Sequence, residues 1–249
     1  MRRFISAMVL LAFSFGSYAS LKSINIMTEE YPPFNFKGSD GQPTGVAVDI
    51  LIEAYKRAGV PLSKSKIKLL PWARGYQSVQ KPGAKNMLFS MTRTNSRESL
   101  FKWVGPYVKS YNVFFALKSK GIKITSPNQI KNYKIAGVRG DIGLVLATQL
   151  GAKERQLMTV NKFSLLPKLL KKGRADLFSY NEQVSLWLMK KQGFNPNDFE
   201  VVYKGEPPSE FYYAFNLSVR DADIDKLQKA VEEVTSDSAF MDKANKKYK

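Results

Sequence analysis

The chain has 249 residues and a formal charge of +18, from 39 basic and 21 acidic side chains. It contains neither cysteine nor histidine, which excludes disulfides, Cys- or His-ligated metal sites and any nucleophile–histidine pair. The positive excess admits a nucleic acid, an anionic membrane or an acidic ligand as partner. The lysines are scattered, however (Lys118, Lys120, Lys123, Lys131, Lys134, Lys168, Lys171, Lys172), and the aromatic–basic interleaving of an RNA-binding module is missing, so nucleic acid is not expected.

The start reads as a secretory signal peptide over residues 1–19: a basic "MRR", the apolar "FISAMVLLAFSFG", and a small-x-small "SYA" ending at Ala19. The apolar run is shorter than the roughly 20 residues of a comfortable membrane span. No cysteine follows for a lipid anchor. Cleavage near Ala19 would release an exported chain long enough for one large core or two smaller ones.

Short strands and helices then alternate. "SINIMT" places Ile24 and Ile26 on one face of a strand. In "GVAVDILIEAYKRAGV", Val46, Ile50, Leu51, Ala54, Tyr55 and Ala58 follow helical spacing, with Gly59 as the stop. "KIKLLPW" reads as a strand ending at Pro71, and "NMLFSMT" as another. Further on, Ser126 and Pro127 open a helical turn, "KIAGVRG" is a strand into a glycine turn, and a helix runs from Asp141 to Gly151. Strand "RQLMTV", helix "FSLLPKLLKKG" with Pro167 in its first turn, strand "ADLFSY", helix "EQVSLWLMKKQG" and strand "FEVVY" continue the pattern. The aromatic strand "FYYAFNLS" and two amphipathic helices close the chain; Ile224, Leu227, Val231 and Val234 form the stripe of the first. Such alternation predicts α/β layers with largely parallel pairing, economically arranged as two lobes.

The stretch "SMTRTNSRESLFKWVGPY" carries the most chemistry. An alternating strand would aim Ser90 and Thr92 at one face, with Arg97 arriving after a turn. Two hydroxyls and a guanidinium at one spot can hold a carboxylate. Equally, Arg97 can pair with Glu98 or a surface acid.

Taken together, three stretches resemble a known family. "EEYPPFNFKGSDGQPTGVAVDILIEAYKRAG", "TRTNSRESLFKWVGPY" and "LLKKGRADLFSYNEQVSLWLMKKQG" are similar, in that order, to segments of the periplasmic solute-binding proteins of family 3, the receptors of polar amino-acid ABC importers. The resemblance implies a two-lobe periplasmic-binding-protein fold, each lobe a mainly parallel sheet flanked by helices, joined by two hinge strands. The implied lobes are residues 20–112 with 213–249, and residues 113–212; the implied hinges lie around Tyr111–Leu117 and Glu210–Phe215.

It implies, too, that a small carboxylate-bearing solute, an amino acid first of all, is captured by a monomer and passed to a membrane permease. No cofactor or metal is expected. Arg97 matches the family's carboxylate anchor, Ser90 and Thr92 the small polar positions beside it, and Tyr31 an aromatic of the side-chain pocket. Trp72 and Arg74 can reach the cleft from the end of their strand, or simply pack.

Two positions depart from the family. Asn181 stands where an aspartate usually meets the ligand's ammonium. Asp141 stands where a threonine or serine is usual, and it can either cap its own helix or replace the missing cation partner. Two alternatives to transport stay open: a ligand-sensing input protein for a membrane receptor, and an enzyme resembling cyclohexadienyl dehydratases. For the enzyme, Glu29, Glu30, Asp141 and Glu182 are the candidate carboxylates.

Overall fold

The computed structural model describes residues 21–248, so the predicted signal peptide lies outside the described residues. β1 (Asn25–Thr28) leads through a small hairpin, β2 (Phe36–Lys37) and β3 (Pro43–Thr44), into α1 (Val46–Arg57). Gly45, ahead of α1, has φ 123°, and a Cβ there would lie 2.2 Å from the Phe34 carbonyl oxygen. Only glycine fits that junction. The apolar stripe of α1 is buried as its spacing predicts.

β4 (Ile67–Leu69) is followed by α2 (Trp72–Val79) and β5 (Asn86–Thr92). Here the sequence reading is corrected: Trp72 is the first residue of a helix, not the end of a strand. Pro71, with φ −57°, starts the turn, and Trp72 and Tyr76 stack on one helix face at 5.7 Å.

β6 (Lys102–Ser110) and β7 (Asn112–Leu117) then carry the chain from one sheet to the other, crossing at Tyr111. The second lobe contains β8 (Ile135–Val138), α3 (Ile142–Gln149), β9 (Leu157–Val160), α4 (Leu166–Lys171), β10 (Leu177–Asn181), α5 (Glu182–Lys191) and β11 (Phe199–Lys204). The chain returns through residues 205–208 to β12 (Ser209–Phe215) and ends with α6 (Asp221–Ser236) and α7 (Ser238–Lys247). β12 already pairs at Ser209, and β7 occupies most of Tyr111–Leu117, so the crossings lie at Tyr111 and 205–208. Between them, the Asn112 side-chain amide donates to Ser209 Oγ at 2.8 Å, and the Gly205 N–H donates to the Asn112 carbonyl at 2.9 Å.

The sheets have the orders β4-β1-β5-β12-β6 and β11-β7-β10-β8-β9. Pairing is parallel within each lobe's own strand–helix–strand units (β1 with β4 and β5; β8 with β9 and β10). It is antiparallel where the crossing strands join. Both faces of both sheets are covered, which is why β5 is buried from Met87 to Thr92 and β10 along its whole length, polar residues included. Met27, Leu88 and Met91 pack on one face of the first sheet; Phe114, Ile135 and Leu177 pack on one face of the second.

The remaining core is continuous through both lobes, running from Ile26 and Phe89 to Phe115 and Phe178. The predicted stripe of α6 is buried within it. Tyr248 anchors the last helix, with its hydroxyl 2.8 Å from Thr44 Oγ1 and 2.9 Å from Asp49 Oδ2. Among the described residues no helix is long and apolar enough to cross a membrane.

Candidate functional site

The cleft between the sheets collects the residues that the sequence singled out, though not in the roles their spacing suggested. Ser90 does not alternate with Thr92. Tyr213 pairs with Phe89 and Tyr212 with Met91, so Ser90 is left over as a bulge, with φ 62°. That left-handed backbone is uncommon for a residue other than glycine and concentrates at functional sites. The bulge turns the Ser90 hydroxyl to Asn35 Oδ1, to which it donates, and to the Tyr107 hydroxyl at 3.0 Å. The Ser90 N–H also donates to Tyr107, at 2.7 Å. Neither Asn35 nor Tyr107 stood out in the sequence, because they meet Ser90 only through the fold. Thr92 closes β5 and is buried.

Arg97 is 3% exposed. Its Nη1 donates to the Thr92 carbonyl at 3.1 Å, and its Nη2 crosses the cleft to the Gly140 carbonyl at 2.7 Å. Glu98, the alternative partner, binds Arg93 instead, at 2.7 Å. The guanidinium carbon lies 5.7 Å from the Trp72 ring centroid and 5.4 Å from that of Tyr76, a cation–π arrangement against the α2 face. The two bonds use two of the five N–H donors of a guanidinium.

Asp141 caps α3, accepting from the Gly143 N–H at 2.9 Å. Gly143 is obligatory there: a Cβ would lie 2.5 Å from the Ser179 carbonyl oxygen of β10. Burial pushes the Asp141 carboxyl up to about 6, against the Gly143 bond and the nearby Arg97 charge, which both lower it. Asn181 is fully buried at the start of α5. Its oxygen accepts from the Val184 N–H at 3.1 Å, and its Nδ2 donates to Ser110 Oγ at 2.7 Å, next to the crossing. Both ends of the amide are therefore engaged with protein.

Aromatic rings form the rest of the cleft. Tyr31 meets Tyr180 of the other lobe edge-on at 5.5 Å, and Phe211 at 5.9 Å. Trp72 is 5% exposed, and its Nε1–H has no acceptor among the described residues. A methyl group at Gly140 would sit 3.6 Å from that nitrogen, so the indole edge reaches the turn that Arg97 also touches. Trp72 and Tyr180 line a cavity of about 530 Å³ between the lobes, together with Glu29, Val138 and Phe163.

Glu29 is half-buried, and burial, then Asp141 and Glu30, hold its carboxyl well above the ordinary range. Burial raises Tyr31 and Tyr180 as well, with Asp141 and Glu29 adding to it in both. A second interlobe cavity, about 730 Å³, lies against the crossing, between Arg93, Asn112, Leu146 and Glu210. Arg74, the other residue of "PWARGY" considered for the cleft, is exposed. Among the described residues no group of acidic side chains is arranged to hold a metal ion.

Two mixed sheets joined by two crossings, with a buried guanidinium spanning the cleft between them, define a two-lobed solute-binding architecture. The model of bacterial extracellular solute-binding proteins, family 3, matches residues 24–248, and the chain belongs to that family. Similar solved structures include an ancestral arginine-binding protein bound to arginine (23% identity, TM-score 0.71, covering 90% of this chain and 96% of that one). The arginine-, lysine-, histidine-binding protein ArtJ of Geobacillus stearothermophilus has 20% identity and a TM-score of 0.75, over 90% and 94%. A histidine kinase sensor domain with similarity to periplasmic binding proteins has 14% identity and a TM-score of 0.76, over 90% and 94%. At these identities the likeness is one of fold. No match is found among curated proteins.

Proposed function

We propose that this protein is a periplasmic receptor that captures a small carboxylate-bearing solute, an amino acid, between its lobes and delivers it to the permease of an ABC importer. Arg97 carries the reading. It is a buried guanidinium without a carboxylate partner among the described residues, placed where the lobes meet and with N–H donors to spare. The solute carboxylate binds there, beside Thr92 and the Ser90 bulge, with Tyr31 and Trp72 as apolar walls. Asp141 stays at the helix start, and Asn181 contributes through α5 and the crossing.

Family membership supports solute binding, and so do neighbours described as bound to arginine or histidine. Binding without catalysis is the better-supported reading. Of the carboxylates a dehydratase would use, Glu182 lies 3.4 Å from Lys204, and Glu30 accepts from the Lys37 N–H at 3.2 Å.

A thermal-shift screen against amino acids, dicarboxylates and amines tests capture. A true ligand at about 100 times its Kd adds roughly 2.7 kcal/mol of apparent stability. Arg97→Ala then weakens binding by about 1.5–3 kcal/mol, the scale of a lost charged hydrogen bond. Unchanged affinity by calorimetry overturns the anchor, and a screen without any shift overturns capture.

A further inference from the structure

The positive charge of the chain is unevenly placed. Residues 113–204, in the second lobe, hold sixteen basic and six acidic side chains, whereas residues 21–112 and 205–248 hold twenty and fifteen. The excess is therefore larger on the smaller lobe. Among the described residues only two ion pairs form within the second lobe, Lys171 with Asp198 and Lys204 with Glu182.

Strand register gathers much of this excess at one end. Leu177 of β10 lies beside Ala116 of β7 and Ile135 of β8, and Ile135 lies beside Leu157 of β9. The end of β7 and the starts of β10, β8 and β9 thus form one row across adjacent strands. The opposite ends of β8 and β10, at Val138 and Tyr180, line the interlobe cavity, so this row points away from the cleft. Lys118 follows β7, Lys134 precedes β8, Lys153 precedes β9, and Lys172 and Arg174 precede β10; all five are exposed. Lys131 joins them, since a Cβ added at Gly151 would lie 3.7 Å from its Cδ. The acids of the row are partly engaged: Asp198 pairs with Lys171 at 2.8 Å, and Asp176 accepts from the Lys134 N–H at 2.8 Å. Helix dipoles account for Lys171, Lys190 and Lys191, in the last turns of α4 and α5. They do not account for Lys134 and Lys153, which stand between elements.

Adjacent strands are about 4.8 Å apart, and the Debye length at physiological ionic strength is about 8 Å. Charges at neighbouring strand ends therefore act together, repelling one another and attracting an anionic surface. We infer that this end of the second lobe is a docking surface for an anionic phospholipid bilayer. A plane of phosphates matches cations spread along a row of strand ends, and each basic side chain near such a surface raises binding by about five-fold. Nucleic acid fits less well, because no aromatic side chain at this end is exposed for bases to stack on. Docking here leaves the cleft free and is independent of solute capture.

Flotation with phosphatidylcholine vesicles, with and without phosphatidylglycerol, tests this, using the chain from residue 20 so that the apolar leader takes no part. The protein should float with the anionic vesicles and not with the neutral ones. Binding should vanish as salt rises from about 0.01 M to about 1 M, which shortens the Debye length from about 30 Å to about 3 Å. Lys134→Gln, Lys153→Gln and Lys172→Gln combined should weaken binding on the order of 100-fold. The same loss of charge on α6 and α7, by Lys226→Gln, Lys229→Gln and Lys243→Gln, should weaken it less than about five-fold. All six side chains are exposed, so melting curves of both triple variants should match the wild type. Four results would each overturn the inference and leave capture standing: no flotation with anionic vesicles, equal flotation with neutral ones, equal weakening by both triple variants, or tighter binding to single-stranded DNA than to anionic vesicles at equal phosphate concentration.

Discussion

Replacing Asn181 with alanine separates a structural role from a ligand-binding one. The amide caps α5 through the Val184 N–H and ties the start of that helix to Ser110 beside the crossing. Losing an N-cap costs about 1 kcal/mol, and losing the buried bond to Ser110 costs about 1 kcal/mol more. Asn181→Ala should therefore destabilise the fold by about 2 kcal/mol, which for a chain of this size lowers the Tm by roughly 4–8 °C. Calorimetric melting without added solute, followed by titration well below the new Tm, reads the two effects separately. The expected result is a lowered Tm with solute affinity changed by less than about three-fold, under 1 kcal/mol. A wild-type Tm combined with lost binding would refute the reasoning and return Asn181 to the ligand.

Asp141 should make stability depend on pH. Its carboxyl is raised from 3.8 to about 6 in the fold, so between those values the folded chain holds more protons than the unfolded one. Unfolding free energy then rises as pH falls through 6 and levels off near 4, by on the order of 2–3 kcal/mol from this group. Asp141→Asn keeps a capping oxygen, and should remove that part of the slope and stabilise the protein at pH 7. Urea melts of both proteins at pH 7 and pH 4.5 check this, and equal slopes would count against it. A third expectation concerns closure. Phe36 of the first lobe packs on Trp187 of α5 in the second, with ring centroids 5.5 Å apart. An aromatic pair is worth about 0.5–1.5 kcal/mol, so Trp187→Ala should favour the open form and speed solute release roughly two- to ten-fold. Stopped-flow release and solution scattering would show it, and unchanged release would exclude a clamp here.

Local order in the chain sets the alternation of strands and helices, the buried stripes of α1 and α6, the Ser126–Pro127 turn and a helix start at Asp141, whose side chain the sequence left between a cap and a ligand contact. These rest on energies settled within a few residues: side-chain period, proline geometry and orphan N–H groups at helix starts. The family motifs added the two lobes and the Arg97 position. Tertiary structure alone decided which polar groups are spent and which are free. The Ser90 bulge exists because β12 pairs on either side of it, and Asn35 reaches it from 55 positions away in the chain. The second bond of Asn181 comes from 71 positions away, and Arg97 finds the Gly140 carbonyl 43 positions on. Trp72 moved onto a helix whose "WARGY" spacing sets two aromatic rings on one face, under the Arg97 guanidinium. Glu29 is one acid of a pair in "TEEY", and only the fold sets it at the cavity beside Trp72 and Tyr180, where burial and then Asp141 raise its carboxyl. Satisfaction of a buried polar group depends on all of its neighbours at once, and those neighbours are assembled by the fold, not by local order in the chain.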